Sequence, residues 1–379
     1  HQFNLREEGG TLVGIMGGSG AGKSTCLNVL NGNYEPTFGS ITINGIDIYK
    51  ERARIQGVLG YVAQDDILIE ELSVFQNLYY NARLCFKDMP EEELVKRVGD
   101  TRQSIGIYEC KDLRVGSVLD KTIRGGQRKR LNIALELIRE PSVMFVDEPT
   151  SGLSSRDSEN IMDLLKELTL RGKLIFVVIH QPSSDIFKMF DKLFILDQGG
   201  YPIYYGNPVE SIIYFKRLAN HVNLAESECP HCGNVNPEQI FNIIEAKVVD
   251  EYGVETGIRK VAPREWNNFY NVIIGNHLVS EKKEWELPKN SFSIPGVLSQ
   301  FKVFVVRDVL SKLSNRQYML ITFLEAPVLA LVLALFIKFS PIEGGVHVYS
   351  FMKNINFPQY LFISVVVAIF LGLTVSAEE

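Results

Sequence analysis

The chain has 379 residues, 46% of them hydrophobic, which is enough for two or three domains with a core each. A formal net charge of −6 speaks against a general nucleic-acid binder, which needs a concentrated basic face. An odd, sparse set of five cysteines fits a reducing compartment rather than a disulfide framework.

In chain order, "HQFNLREEGG" reads as the middle of a strand followed by a turn, so sequence is expected upstream. "TLVGIM" is a short buried strand, and a helix is expected from Lys23. "GSITINGIDI" predicts a hairpin around Asn44-Gly45. "VLGYVA" is a short apolar stretch, and the pattern between Leu72 and Ile138 is mostly helical. "SVMFVDE" and "KLIFVVIH" are further buried strands, and "KLFILDQGGYPIYYG" is a strand, a Gly-Gly turn and another strand. The alternation of buried strands and helices predicts a parallel α/β sheet with a helical insertion over residues 1–215.

Residues 216–295 are polar with mixed signals and read as a linker or small subdomain. Residues 296–318 carry an apolar stripe interrupted by Lys302, Arg307, Lys312 and Arg316, the pattern of an amphipathic helix at a membrane surface. Residues 319–379 then read as the start of a transmembrane domain. Its two apolar runs, 319–338 and 357–377, are of bilayer-crossing length, although Glu325 and Pro327 interrupt the first. The basic residues ahead of the first run place that side in the cytoplasm. The chain stops just after the second run, so sequence is expected downstream.

Four motifs carry chemistry. "GGSGAGKST" comprises Gly17, Gly18, Ser19, Gly20, Ala21, Gly22, Lys23, Ser24 and Thr25. It matches G-x-x-x-x-G-K-[ST] between a strand and a helix. Its backbone N–H groups and helix N-terminus would converge on phosphate oxygens. Lys23 would reach the β- and γ-phosphates, and the Ser24 hydroxyl would ligate Mg²⁺. In "VMFVDE", Asp147 and Glu148 are adjacent carboxylates at a strand end, costly unless they serve a cation or a proton transfer. Asp147 suits Mg²⁺ held through water, and Glu148 suits polarising a water that attacks the γ-phosphate. His180 ends another apolar run and would face the same side as Asp147. Gln64 follows "VLGYVA" and, alone, reads as a surface glutamine.

Together these residues resemble the ATPase domain of ABC transporters, an α/β P-loop NTPase fold. Walker A, glutamine loop, "GGQ" signature, Walker B and switch histidine occur in that family's order over about Phe3–Phe215. The words "IRGGQRKRLNIALELI", "DEPTSGL", "HQPSSDIF" and "NPEQIF" resemble the G subfamily, the white-type half-transporters, in which the ATPase precedes an ABC-2-type membrane domain. The resemblance implies a RecA-like core with an antiparallel β subdomain and a helical insertion. It also implies ATP on Gly17–Thr25 and Mg²⁺ contacted by Ser24, Gln64 and Asp147. Glu148 would be the catalytic carboxylate, with His180 as γ-phosphate sensor. Gly125, Gly126 and Gln127 would act in trans on ATP held by a partner cassette. The implied assembly is a dimer with a second half-transporter in a lipid bilayer, most simply an exporter of unidentified substrate. A membrane-anchored regulatory or mechanical ATPase, or the degenerate half of a heterodimer, is the alternative.

The chain departs from that pattern twice. Arg124 stands where the signature has a serine that caps the helix, and an arginine cannot cap in that way. Ser154 stands where the loop after Walker B has aspartate. The expectation is that Arg124 weakens hydrolysis more than binding. "CPHCG" holds a single C-x-x-C pair, Cys229 and Cys232, with His221 nearby, short of the four ligands a structural zinc usually needs.

Overall fold

A run of six apolar or glycine residues, Leu12–Gly17, forms β1, every residue of which is buried. Strands buried on both faces must read as continuous apolar runs, and β1 lies between two parallel neighbours. The structure is a computed structural model that describes residues 3–117, 122–219, 234–275, 292–337, 342–347, 352 and 354–377. The Cys229–Cys232 pair and His221 lie outside the described residues. Two compact units divide the chain, residues 1–304 and 305–379.

In the first unit, β1 is followed by α1 (Lys23–Leu30) and a small hairpin, β2 (Thr42–Ile43) and β3 (Ile46–Asp47). Asn44 and Gly45 turn that hairpin with φ of 50° and 85°, the pair of left-handed residues a tight two-residue turn requires. β4 (Leu59–Val62) leads into three helices, α2 (Val74–Cys85), α3 (Glu91–Ser104) and α4 (Gly125–Leu137). Next come β5 (Val143–Asp147), α5 (Ser155–Leu170), β6 (Leu174–Val178) and α6 (Ser184–Met189). Then follow β7 (Lys192–Asp197), β8 (Tyr201–Gly206) and α7 (Pro208–Leu218). The central sheet has the order β4-β5-β6-β1-β7-β8, parallel except for the antiparallel β7–β8 hairpin.

The two sheet faces are covered separately. Leu12 and Met16 point into a core with Leu131, Ile161, Leu165 and Phe187 from the helices. Val13 and Ile15 point the other way, towards Leu27 of α1 and Phe145, Phe176 and Phe194. That alternation follows from the period of two along a strand.

The mixed-signal stretch after α7 contributes α8 (Glu238–Ile244), a hairpin of β9 (Lys247–Val249) and β10 (Glu255–Arg259), and α9 (Pro263–Ile273). α9 packs against β8. Trp266 and Tyr270, one turn apart on α9, are fully buried, Trp266 in one core and Tyr270 in the other. This part of residues 216–295 therefore closes the β8 edge of the sheet. α10 (Val297–Ser314) begins in the first unit and exposes Val297, Leu298 and Phe301.

The second unit contains α11 (Arg316–Phe336), a short hairpin of β11 (Ile342–Glu343) and β12 (Val346–His347), and α12 (Phe357–Ala377). Asn315 caps α11 by accepting the Tyr318 N–H, which explains why the helix starts three residues ahead of the first apolar run. Among the described residues α11 is the helix long and apolar enough to cross a membrane, with a mean hydropathy of 2.4. The described apolar part of α12, Phe357–Phe370, is shorter.

Candidate functional site

The phosphate loop joins β1 to α1. Gly20 and Gly22 hold φ of 73° and 84°, conformations that cost a side-chain-bearing residue free energy and so favour glycine. Gly22 occupies the N-cap of α1, and no side chain caps that helix. Its first N–H groups therefore face outward as an anion site. Lys23 is only 6% exposed, and its Nζ donates back to the carbonyls of Gly17 and Gly18 at 3.0 Å each. Burial lowers the Lys23 pKa, against the pull of Glu148 and Asp147. A buried ammonium held by two carbonyls and facing two carboxylates is poised for phosphate oxygens.

Parallel register brings the remaining groups to the same end of the sheet. Asp147 pairs with Val178 at the ends of β5 and β6, so Glu148 and His180 emerge side by side. His180 Nε2 lies 2.9 Å from Glu148 Oε1. Glu148 has φ of 45°, a strained value for a non-glycine residue, and its N–H donates to the Val178 carbonyl. Asp147 is 5% exposed, and its Oδ1 is buried with no hydrogen-bond partner. Burial raises the Asp147 pKa and Glu148 adds to the rise, while Ser24, Lys129 and Lys23 oppose it. Lys23, Ser24, Asp147, Glu148 and His180 thus form one cluster. Gln64 lies two residues beyond the end of β4, whose Val62 pairs with Val146 of β5, and its carbonyl accepts from Lys129 Nζ.

An unpartnered buried carboxylate oxygen beside a serine hydroxyl is an acceptor pair suited to a small hard cation. Among the described residues no three His, Cys, Asp or Glu side chains gather as a metal cage. The Asp147 and Ser24 oxygens fit Mg²⁺, which keeps waters and phosphate oxygens as most of its ligands.

The signature residues stand elsewhere. α4 packs on α2, α3, α5 and β4, whereas α1 packs on β1, β5 and β6. Arg124 occupies the α4 N-cap and is exposed, and its side chain makes no capping hydrogen bond. Its backbone N–H donates to Gln127 Oε1 at 2.9 Å, so the glutamine supplies half of a capping box from inside the helix. Gly126 approaches α5 so closely that a Cβ there would lie 2.9 Å from Asp157 Oδ1. Ser154 is the N-cap of α5, accepting the Asp157 N–H at 3.2 Å. The spacing Ser154-x-x-Asp157 is itself a helix-start signal.

Residues 1–151 match the family described as ABC transporter, and residues 180–272 match ABC-2 type transporter. The chain carries an ABC transporter domain. It is similar to ABC transporter G family member 28 of Arabidopsis thaliana, 41% identical over 217 residues, covering 55% of this chain and 19% of that protein. It is also similar to ABC transporter G family member 1 of Dictyostelium discoideum, 37% identical over 263 residues, covering 66% and 30%. A further likeness, at TM-score 0.48 and 28% identity, is to cbiO1 from Clostridium perfringens, part of the ABC transporter complex cbiONQ, covering 59% of this chain and 86% of that one. The chain spans 19–34% of the length of four curated relatives it matches. The fold is that of a P-loop ABC ATPase followed by helical segments, and it rests here on the sheet order and the phosphate loop.

Two functional candidates in this ABC domain escaped motif reading. Arg128 and Lys129, directly after the signature, are both buried. Their only sequence signal is the charge run "RKR" inside a helix, which ordinarily marks a solvated face.

Proposed function

We propose that this chain is the ATP-binding and ATP-hydrolysing part of a membrane ABC transporter of the G type, continuing into the start of its membrane domain. The observation that carries this reading is the convergence of Lys23, Asp147, Glu148 and His180 beside the uncapped N-terminus of α1. That end of the sheet offers phosphate donors, a cation acceptor and a candidate base within one cluster.

On this reading Gly17–Thr25 bind the ATP phosphates, with Lys23 meeting the β- and γ-phosphates. Ser24, Asp147 and Gln64 hold Mg²⁺ directly or through water. When bound, Mg²⁺ neutralises charge on the phosphate oxygens. Glu148 accepts a hydrogen bond from the attacking water and takes its proton, and His180 orients that carboxylate. Gly125, Gly126 and Gln127, distant from α1 in the packing, serve a partner's nucleotide, so the working unit is a dimer. The apolar α11 and the run at 357–377 support a multi-pass protein of the bilayer, with the ATPase in the cytoplasm. Export of an unidentified solute is the activity this arrangement suits.

The uncapped, exposed Arg124 favours one second reading, in which this chain supplies the weaker signature of a heterodimer. The deciding experiment is Mg²⁺-dependent ATP hydrolysis by the full-length protein, alone and with candidate partner subunits. Absence of both nucleotide binding and hydrolysis in every combination would sink the ATPase reading.

A further inference from the structure

Lys129 is the fifth residue of α4, 6% exposed, and its Nζ donates to the backbone carbonyl of Gln64 at 2.6 Å. A lysine ammonium is costly to bury unless opposite charge and hydrogen bonds surround it. Here Asp65, Asp66, Asp147 and Glu148 supply the charge. The same helix holds the rest of this segment. Arg128 donates from Nε to Asp66 Oδ2 at 3.3 Å and also reaches the Gly116 carbonyl. Asn132 accepts from the Ile67 N–H and donates to the Ala63 carbonyl at 3.4 and 3.5 Å. Residues 63–67 are thus fixed to α4 at four points, and the Lys129 bond falls on Gln64 itself.

Resting on the ATPase reading above, we propose that Lys129 is a positioning residue that sets the Gln64 backbone, and so its side chain, against the reacting phosphate. The bond makes the signature helix and the Gln64 segment one mechanical unit. A displacement of α4, whose N-terminus carries Gly125 and Gly126, is then transmitted to Gln64 in the same chain. Misplacing an orienting group by about 1 Å costs on the order of 100-fold in rate, whereas ground-state binding through Lys23 and the loop is untouched.

The test uses the full-length protein with Lys129→Met, alone and in a Gln64→Ala background. Wild-type Mg-ATP binding and turnover are measured first, so failure of the ATPase reading is seen separately. The expected result for Lys129→Met is kcat lower by roughly 10- to 100-fold, with a clearly smaller change in the Mg-ATP dissociation constant. Amide hydrogen exchange across residues 63–67 of the nucleotide-free protein should rise. In the Gln64→Ala background the same substitution should change kcat by less than about twofold, since the group it positions is gone. Wild-type kcat and exchange, an equal loss in both backgrounds, or a loss confined to ATP affinity would each overturn the proposal. If Lys129→Met does not fold, Lys129→Gln carries the test with the same expectations. Its amide is neutral and too short to reach the Gln64 carbonyl from the same backbone position.

Discussion

His180 Nε2 sits 2.9 Å from Glu148 Oε1, across the ends of two strands paired in parallel. That contact orients the Glu148 side chain, and the left-handed backbone at Glu148 turns it out of the sheet. The carboxylate is thereby held over the same end of the sheet as Lys23 and Asp147.

Glu148→Gln should retain Mg-ATP binding and lose hydrolysis by roughly 10²- to 10⁴-fold, because an amide keeps the shape but is a poor base. The variant should accumulate as a closed, ATP-bound dimer of cassettes. Turnover at the wild-type rate would remove Glu148 from the role of base.

Lys23→Ala should abolish tight Mg-ATP binding without unfolding the domain. The loss is of the ammonium that reaches the phosphates, while the loop is still shaped by Gly20 and Gly22. Titration calorimetry or a fluorescent nucleotide reads the affinity, and circular dichroism checks the fold. Unchanged affinity in a folded variant counts against this placement of the site.

Arg124→Ser should stabilise α4 by about 1 kcal/mol, since serine caps and the present side chain does not. A serine would also restore a donor to a partner's γ-phosphate, so ATPase activity of the full-length dimer should rise on the order of tenfold. Thermal midpoint and steady-state rate at saturating Mg-ATP are the two readouts. A slower variant would mean that the guanidinium itself serves the phosphate.

Glu7 provides a pH-dependent prediction. Burial pushes its carboxyl up to about 7, and its Oε1 is buried without a hydrogen-bond partner. The unfolded chain releases this proton near the ordinary value of 4.5, well before the folded one does. Raising the pH from that value through about 7 therefore favours unfolding, and the penalty remains above 7. Glu7→Gln removes the ionisation. Its gain in thermal midpoint should be larger at pH 8 than at pH 5, and equal gains at the two pH values would contradict the account.

Much of this protein was legible in one dimension because the information is local. The strand–glycine–lysine–helix order around Lys23 carries both its conformation and its chemistry. Asn44-Gly45 allows one kind of turn, and continuous apolar runs such as Leu12–Gly17 fit strands buried on both faces. What the tertiary structure alone decided depends on groups far apart in the chain. Lys129 meets Gln64 across 65 residues, so a charge run that reads as a solvated face becomes a buried tether. Arg259 meets Asp197 across 62 residues, and Trp266 and Tyr270 close the sheet from a stretch with mixed local signals. The partner of a buried ion or aromatic ring is chosen by strand register and helix packing. Those are properties of the assembled sheet, and no local pattern in the sequence encodes them.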